Sequence, residues 1–160
     1  MIKVYDGNKI NDTILDQMYK ILIENLFITY PSFLDNRDKH DNEKNYNIWT
    51  NMIKTTENYN VIIYKENNKV FGFLNYCIID SNLWISEVQI KDEYKNKRIL
   101  KKLINKFVLI EKNRKYSTVT IHINDENILS KTVFEHIGFK SVGDTLYKIN
   151  IKDLIDWSIC

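Results

Sequence analysis

Residues 85–104 read ISEVQIKDEYKNKRILKKLI. Within them, and starting two residues upstream, residues 83–90 form a largely apolar run that predicts a β-strand, with Glu87 as its only acid. From residue 99 the period changes. Ile99, Leu100, Leu103, Ile104, Phe107 and Val108 recur at helical spacing, and Lys97, Lys101, Lys102, Lys106 and Lys112 supply much of the polar face. A charged connection joins the two. A loop that feeds straight into a helix meets its unpaired first-turn N–H groups and the positive end of its dipole, so the junction has the makings of an anion cradle. On residue types alone, the same lysines read first as a solvated basic helix face.

Upstream, residues 61–65 and 69–76 are strand-like and meet at Asn67-Asn68, a pair that tolerates the left-handed backbone of a two-residue hairpin. Ser81-Asn82 predicts the next turn, so three antiparallel strands follow one another. Ile48, Trp49, Met52 and Ile53 predict a short helix, and residues 31–44 a polar loop that starts at the only proline, Pro31. Asn11 or Asp12 caps a longer helix with Ile14, Leu15, Met18, Ile21, Leu22 and Leu26 on one face. Residues 1–5 predict an edge strand.

Downstream, residues 118–123 alternate as a half-buried strand. Asn124 or Asp125 caps a helix that runs through Ile137 and stops at Gly138, and residues 139–142 and 145–151 close with two strands. The tail, residues 152–160, carries Leu154, Ile155, Trp157 and Ile159, and predicts packing on the domain or on a second subunit. The order β-α-α-β-β-β-α-β-α-β-β makes an α+β (mixed α/β) single domain over residues 1–160. Its centre is a mostly antiparallel sheet of six to seven strands, with about four helices on its faces.

Composition narrows the function. The 160 residues are 44% hydrophobic and 28% charged, the proportions of a globular chain. With 23 Lys+Arg against 21 Asp+Glu the net charge is +2, which gives no reason to expect a nucleic-acid partner. No apolar run has the length of a membrane span, and the first residues lack a signal-peptide pattern, so a cytoplasmic protein is expected. Cys77 and Cys160 have no paired spacing, and His40, His122 and His136 form no metal-ligand cluster with them, so neither a disulfide scaffold nor a metal is expected. Cys77 lies in an apolar strand, where burial keeps a thiol inert. Alanine is absent and Lys, Asn and Ile are abundant, which lowers the functional weight of any lysine or asparagine cluster.

Two stretches carry a resemblance. In residues 85–104, Ile90, Tyr94, Lys97 and Ile99 fall on a strand–loop–helix pattern Val-x-Pro-x-Tyr-Arg-Gly-Lys-Gly-Ile-Gly. In residues 127–139, NILSKTVFEHIGF, the residues Asn127, Ser130, Phe134 and Gly138-Phe139 fall on Asn-x-x-Ala-x-x-x-Tyr-x-x-x-Gly-Phe. Both patterns, in this order of elements, resemble the GNAT superfamily of acyl-CoA-dependent N-acetyltransferases, over about residues 2–151. The resemblance implies transfer of an acetyl group from acetyl-CoA, as co-substrate, to a primary amine on a small molecule or a protein. It places the thioester along Val88, Gln89 and Ile90, with the backbone N–H of Gln89 or Ile90 on its carbonyl. The pyrophosphate falls at Asn96, Lys97, Arg98, Ile99, Leu100 and Lys101, and the pantetheine between that helix and Asn127, Ser130 and Phe134. A homodimer is compatible with it.

The departures are chemical. The family's glycines are Asn96, Arg98 and Leu100 here, and its Arg or Gln is Lys95. Arg and Leu enter the left-handed backbone reluctantly, so either the loop binds CoA with a shifted backbone or it has lost the ligand. Lys95, Lys97, Arg98 and Lys101 offer direct charge contacts to phosphate in compensation. Phe134 stands where many members have a tyrosine that protonates the departing thiolate; Tyr76, Tyr94 and Tyr147 are alternative donors. Glu87 sits where several members carry a working acid, and the resemblance makes it the general base. By residue type alone it is a solvent-facing or ion-paired strand glutamate. His122 projects from the polar face of its strand, where it reads as a surface residue or a wall of the acceptor site, and Asp35, Asp38 and Asp41 could attract a cationic amine. The second reading is a GNAT-fold module that binds acyl-CoA or a partner without efficient catalysis.

Overall fold

The computed structural model describes residues 1–31 and 43–160. Short polar side chains set most element ends. Asn11 accepts from the Ile14 N–H at 3.0 Å and starts helix α1 (Asp12–Thr29). Asn127 accepts from the Ser130 N–H at 3.1 Å and starts α4 (Ile128–Ile137), two or three residues beyond the cap expected at Asn124 or Asp125. Asn150 accepts from the Lys152 N–H at 2.9 Å and starts α5 (Ile151–Ile159). Helix α2 spans Glu43–Thr55 and α3 spans Ile99–Glu111. Most of the loop expected over residues 31–44 lies outside the described residues, and so do Asp35, Asp38, His40 and Asp41.

Seven strands form one sheet: β1 (Ile2–Asp6), β2 (Asn60–Glu66), β3 (Lys69–Ile79), β4 (Asn82–Ile90), β5 (Thr118–His122), β6 (Lys140–Gly143) and β7 (Leu146–Asn150). Their order is β1-β2-β3-β4-β5-β7-β6. Asn67 takes φ 46° in the β2–β3 hairpin, as its residue type suggested. The β3–β4 turn is Asp80-Ser81, both at positive φ, one residue before the expected Ser81-Asn82, because Ile79 pairs with Asn82. The mostly antiparallel sheet is as expected, and five α-helices rather than about four are described, because the tail forms α5.

The pleat sends alternate side chains to two cores. Val61, Ile63 and Phe73 meet Ile14, Leu15, Met18 and Ile21 of α1 and Ile53 of α2. Ile62, Leu74, Leu83 and Ile85 meet Leu103, Ile104, Phe107 and Val108 of α3 and Leu154 of α5. Gly72 lets α3 sit close to the sheet, since a Cβ there would lie 3.1 Å from the Ile99 side chain and 3.2 Å from the Gln89 carbonyl oxygen. The tail therefore packs on its own domain.

Two irregularities position the site. Strands β4 and β5 pair in parallel only from Leu83↔Val119 to Ile85↔Ile121; beyond that β4 continues to Ile90 while β5 ends at His122, and the sheet splits. Just past the last paired residue, β4 bulges. Tyr76 faces Ile85 and Asn75 faces Glu87, which leaves Ser86 as the extra residue.

Candidate active site

The bulge decides where Glu87 points. Strict alternation would put Glu87 on the same face as Ile85, towards α3. The extra residue turns it to the α1/α2 face instead, where Trp49 of α2 donates its indole N–H to Glu87 Oε2 at 3.0 Å. Ser86 turns to the same face and shares a 2.6 Å hydrogen bond with the Tyr59 hydroxyl. Crowding by protein atoms pushes the Glu87 carboxyl up from its ordinary value to about 7, and the Trp49 N–H pulls the other way. Glu87 keeps partial solvent contact and is not sealed in the core.

Below the split lies a cleft of about 710 Å³, walled by the end of α1, the outer edge of β4, the loop into α3, the end of β5 and α4. Among the candidate ligand-binding residues, Val88, Gln89, Ile90, Lys95, Asn96, Leu100, Asn127, Ser130 and Phe134 line it. Lys97, Arg98, Ile99 and Lys101 do not. Lys97 lies over the Tyr94 ring at 4.3 Å, Ile99 is 1% exposed in the core, and Lys101 donates to the Cys160 backbone oxygen. A second hollow of about 800 Å³ lies on α2, and the described residues that line it, from Glu43 to Lys54, all belong to that one helix.

The backbone of β4 resolves which amide faces the cleft. The Lys91 N–H donates to the Phe71 carbonyl of β3 at 2.8 Å. A trans peptide then turns the Ile90 carbonyl away from β3, and the Ile90 N–H lies on that same outward edge. Gln89 points its N–H back towards β3. Of the two expected amides, Ile90 is the one that faces the split. Asn25 of α1 closes the neighbouring position, its amide nitrogen donating to the Ile90 carbonyl and to Gln89 Oε1, each at 2.9 Å. Those two bonds fix the amide, so Asn25 Oδ1, in a side chain only 7% exposed, is left without a hydrogen-bond partner in the cleft wall.

At the start of α3, Arg98 takes φ 59° and ψ 21°, the left-handed conformation that the resemblance assigns to glycine. The Arg98 side chain makes no capping hydrogen bond to this helix start. Lys95 reaches the cleft but is paired with Asp92 at 3.0 Å, an exposed pair worth little and readily exchanged.

The expected substitutes for a tyrosine at Phe134 lie elsewhere. Tyr76 is 1% exposed and donates to Glu111 at 2.7 Å, Tyr94 stacks on Phe71 with centroids 4.1 Å apart, and Tyr147 is buried in the core. Tyr30 and His122, by contrast, line the cleft. Burial and nearby Glu126 push the Tyr30 hydroxyl up, and His122 hydrogen-bonds Thr145. His136 is exposed, and Cys77 is buried with its thiol pushed up by burial. Sequence reasoning missed Asn25 and Tyr30. Asn25 had left a signal: it continues the 14–18–21 apolar stripe of α1 as a lone amide, the mark of a buried polar side chain with a task. Among the described residues no cluster of His, Cys, Asp or Glu could hold a metal ion, and no helix is long and apolar enough to cross a membrane.

A family model described as an acetyltransferase (GNAT) domain matches residues 37–154. No curated protein matches the chain in sequence. Solved structures with a similar fold include the PaiA N-acetyltransferase of Thermoplasma acidophilum in complex with coenzyme A (TM-score 0.71, 14% identity, 94% of this chain and 98% of that one). An aminoglycoside 6'-N-acetyltransferase complexed with coenzyme A is similar as well (TM-score 0.68, 12% identity, 94% and 97%). So is the ribosomal-protein-S18-alanine N-acetyltransferase of Escherichia coli (TM-score 0.65, 12% identity, 94% and 94%).

Proposed function

The chain belongs to the GNAT acetyltransferases, a family of acyltransferase enzymes, and from that premise we propose that it moves an acetyl group from acetyl-CoA to a primary amine by direct attack in a ternary complex. The observation that carries this reading is the β4 bulge, which turns the Glu87 carboxyl, pushed up to about 7 by burial, to the α1/α2 face next to cleft-lining Val88.

The residues fit acetyl-CoA. Arg98 takes the left-handed backbone despite its side chain, and the first turn of α3 meets the cleft at Leu100, where a pyrophosphate would sit with Lys95 and Asn96 at the mouth. Asn127, Ser130 and Phe134 would wall the pantetheine. The co-substrate supplies an acetyl group activated as a thioester, and the Ile90 N–H is the donor for its carbonyl oxygen.

The amine must lose a proton to react. A primary amine with a pKa of about 10.4 is free base to only about one part in 10³ to 10⁴ at pH 7. Glu87, ionised to about half at that pH, takes the proton. The amine nitrogen then bonds to the carbonyl carbon, the C–S bond breaks, the electron pair leaves with sulfur, and the second nitrogen proton passes to the departing thiolate, directly or through water, so that an amide and free CoA thiol result. A thiolate with a pKa of about 8.5 departs tolerably without a dedicated acid, at a cost bounded by the roughly 10²- to 10⁴-fold that such catalysis contributes. The acceptor is a small molecule or a protein amine.

Calorimetric titration with acetyl-CoA, free CoA and desulfo-CoA tests the binding half, with micromolar affinity expected; no heat and no thermal stabilisation at millimolar ligand would sink it. An amine-acceptor screen tests the other half. Glu87→Gln should keep that affinity, lose at least about 10²-fold in kcat, and abolish the fall in rate as pH drops through about 7.

A further inference from the structure

We propose that Trp49 is a positioning residue for the general base: its indole N–H holds Glu87 Oε2 and leaves Oε1 as the oxygen that receives the acceptor's proton. The inference rests on the reading of Glu87 as base, and it adds a residue from a different element that no site motif contains.

The geometry makes Trp49 more than a neighbour. Its N–H is the hydrogen-bond donor to Glu87 among the described residues, at 3.0 Å. The indole cannot swing away freely, because it packs against Tyr19 of α1 with centroids 5.4 Å apart and lies edge-on to Phe73 of β3 at 6.4 Å. Three elements thus aim one N–H at one carboxyl oxygen. Indole suits the task because it is neutral. A lysine or arginine here would hold the carboxylate so strongly that it could no longer take a proton near neutrality.

The hydrogen bond also survives the reaction. With Glu87 ionised, Oε2 accepts from the indole. Once the acceptor's ammonium has passed a proton to Oε1, Oε2 is the carbonyl oxygen of a neutral acid and still accepts. The proton therefore arrives on a defined atom and nothing has to reorient, which is what preorganisation means for a base. The groups that face Glu87 are Trp49 from α2, Asn75 from β3, and Ser86 with Tyr59 beside the bulge. Of these only Tyr59 titrates, and its hydroxyl is pushed up by burial first and by Glu87 among its smaller causes, so it stays neutral while Glu87 changes state. No charged group among the described residues contributes to the Glu87 shift.

Trp49→Phe keeps the ring and removes the N–H. Carboxyl-carbon NMR reads the result without any acceptor, with Glu87→Gln assigning the resonance. The Glu87 midpoint should rise by about one pH unit in Trp49→Phe, since a donor to the charged form has been lost. An unchanged midpoint overturns the inference. In the unmodified chain the Trp49 indole N–H resonance should titrate with the same midpoint as Glu87, and a resonance that ignores it overturns the inference even where Trp49→Phe folds poorly. Once an acceptor is found, kcat of Trp49→Phe should fall about fivefold at pH 7 and recover by pH 9, with KM for acetyl-CoA unchanged; a loss equal at every pH overturns it. If instead Glu87→Gln keeps the acidic limb of the rate profile, the base reading fails, and the midpoint comparison still reports on the hydrogen bond.

Discussion

Arg98 takes the left-handed backbone that the resemblance assigns to a glycine. The residue sits at φ 59° at the start of α3, where an L side chain strains by roughly 1–2 kcal/mol. The neighbouring packing holds it there: Ile99 is buried at once and locks against Gly72. Arg98→Gly should therefore raise stability in urea by about 0.5–1 kcal/mol, the relieved strain less the extra entropy of an unfolded glycine. Since the Arg98 side chain lies outside the cleft, affinity for acetyl-CoA should stay within about twofold; a tenfold loss would show that the guanidinium grips phosphate. Residue types alone left both outcomes open. Glu87 was equally undecided, because a strand glutamate looks the same in sequence whether it faces solvent or a tryptophan.

At the scale of elements, helix α5 is the clearest addition to what the periodicities announced. Its apolar residues hinted at packing, and the fold shows on what: Leu154 is fully buried against the α3 side of the sheet, and the Lys101 ammonium lies 5.4 Å from the centre of the Trp157 ring. Leu154→Ala removes a buried side chain from a filled site and should cost about 3 kcal/mol, lowering Tm by about 10 °C in a thermal melt. A change below about 1 kcal/mol would mean that the helix is only loosely held. The helices and hairpins were legible because their signals are local. Asn11 as a cap, Asn67 in a turn and Gly138 after α4 act within a few residues of themselves. The cap of α4 falls two or three residues beyond the expected one because Asn124, Asp125 and Asn127 are all competent caps, and Asn124 instead accepts from the Glu126 N–H in the turn before the helix.

At the scale of the whole molecule, burying the Glu87 carboxyl costs stability once it ionises. Glu87 binds its proton more tightly in the folded chain, at about 7, than in an unfolded one, at 4.5. The sign follows: its contribution is most favourable below the unfolded value and is lost as pH rises through the folded value. Glu87→Gln removes that penalty. The variant should gain roughly 2 kcal/mol at pH 8, after discounting for partial solvent contact, and almost nothing at pH 4. Denaturant titrations at both pH values would check it, and an equal change at both would remove the ionisation argument. Such a cost is usual where a fold keeps a reactive group poised.

What the sequence determined by itself was the order of elements, the two faces of the sheet and the family, because periodicity, caps and motif spacing are local properties of the chain. Tertiary structure alone decided the site. The split between β4 and β5, the bulge at Ser86 that turns Glu87, the amide of Ile90 that faces the cleft, and the meeting of Trp49 with Glu87 across 38 residues all depend on register and packing between distant segments. No local pattern encodes them, since one extra residue in a strand reverses the face of every side chain beyond it.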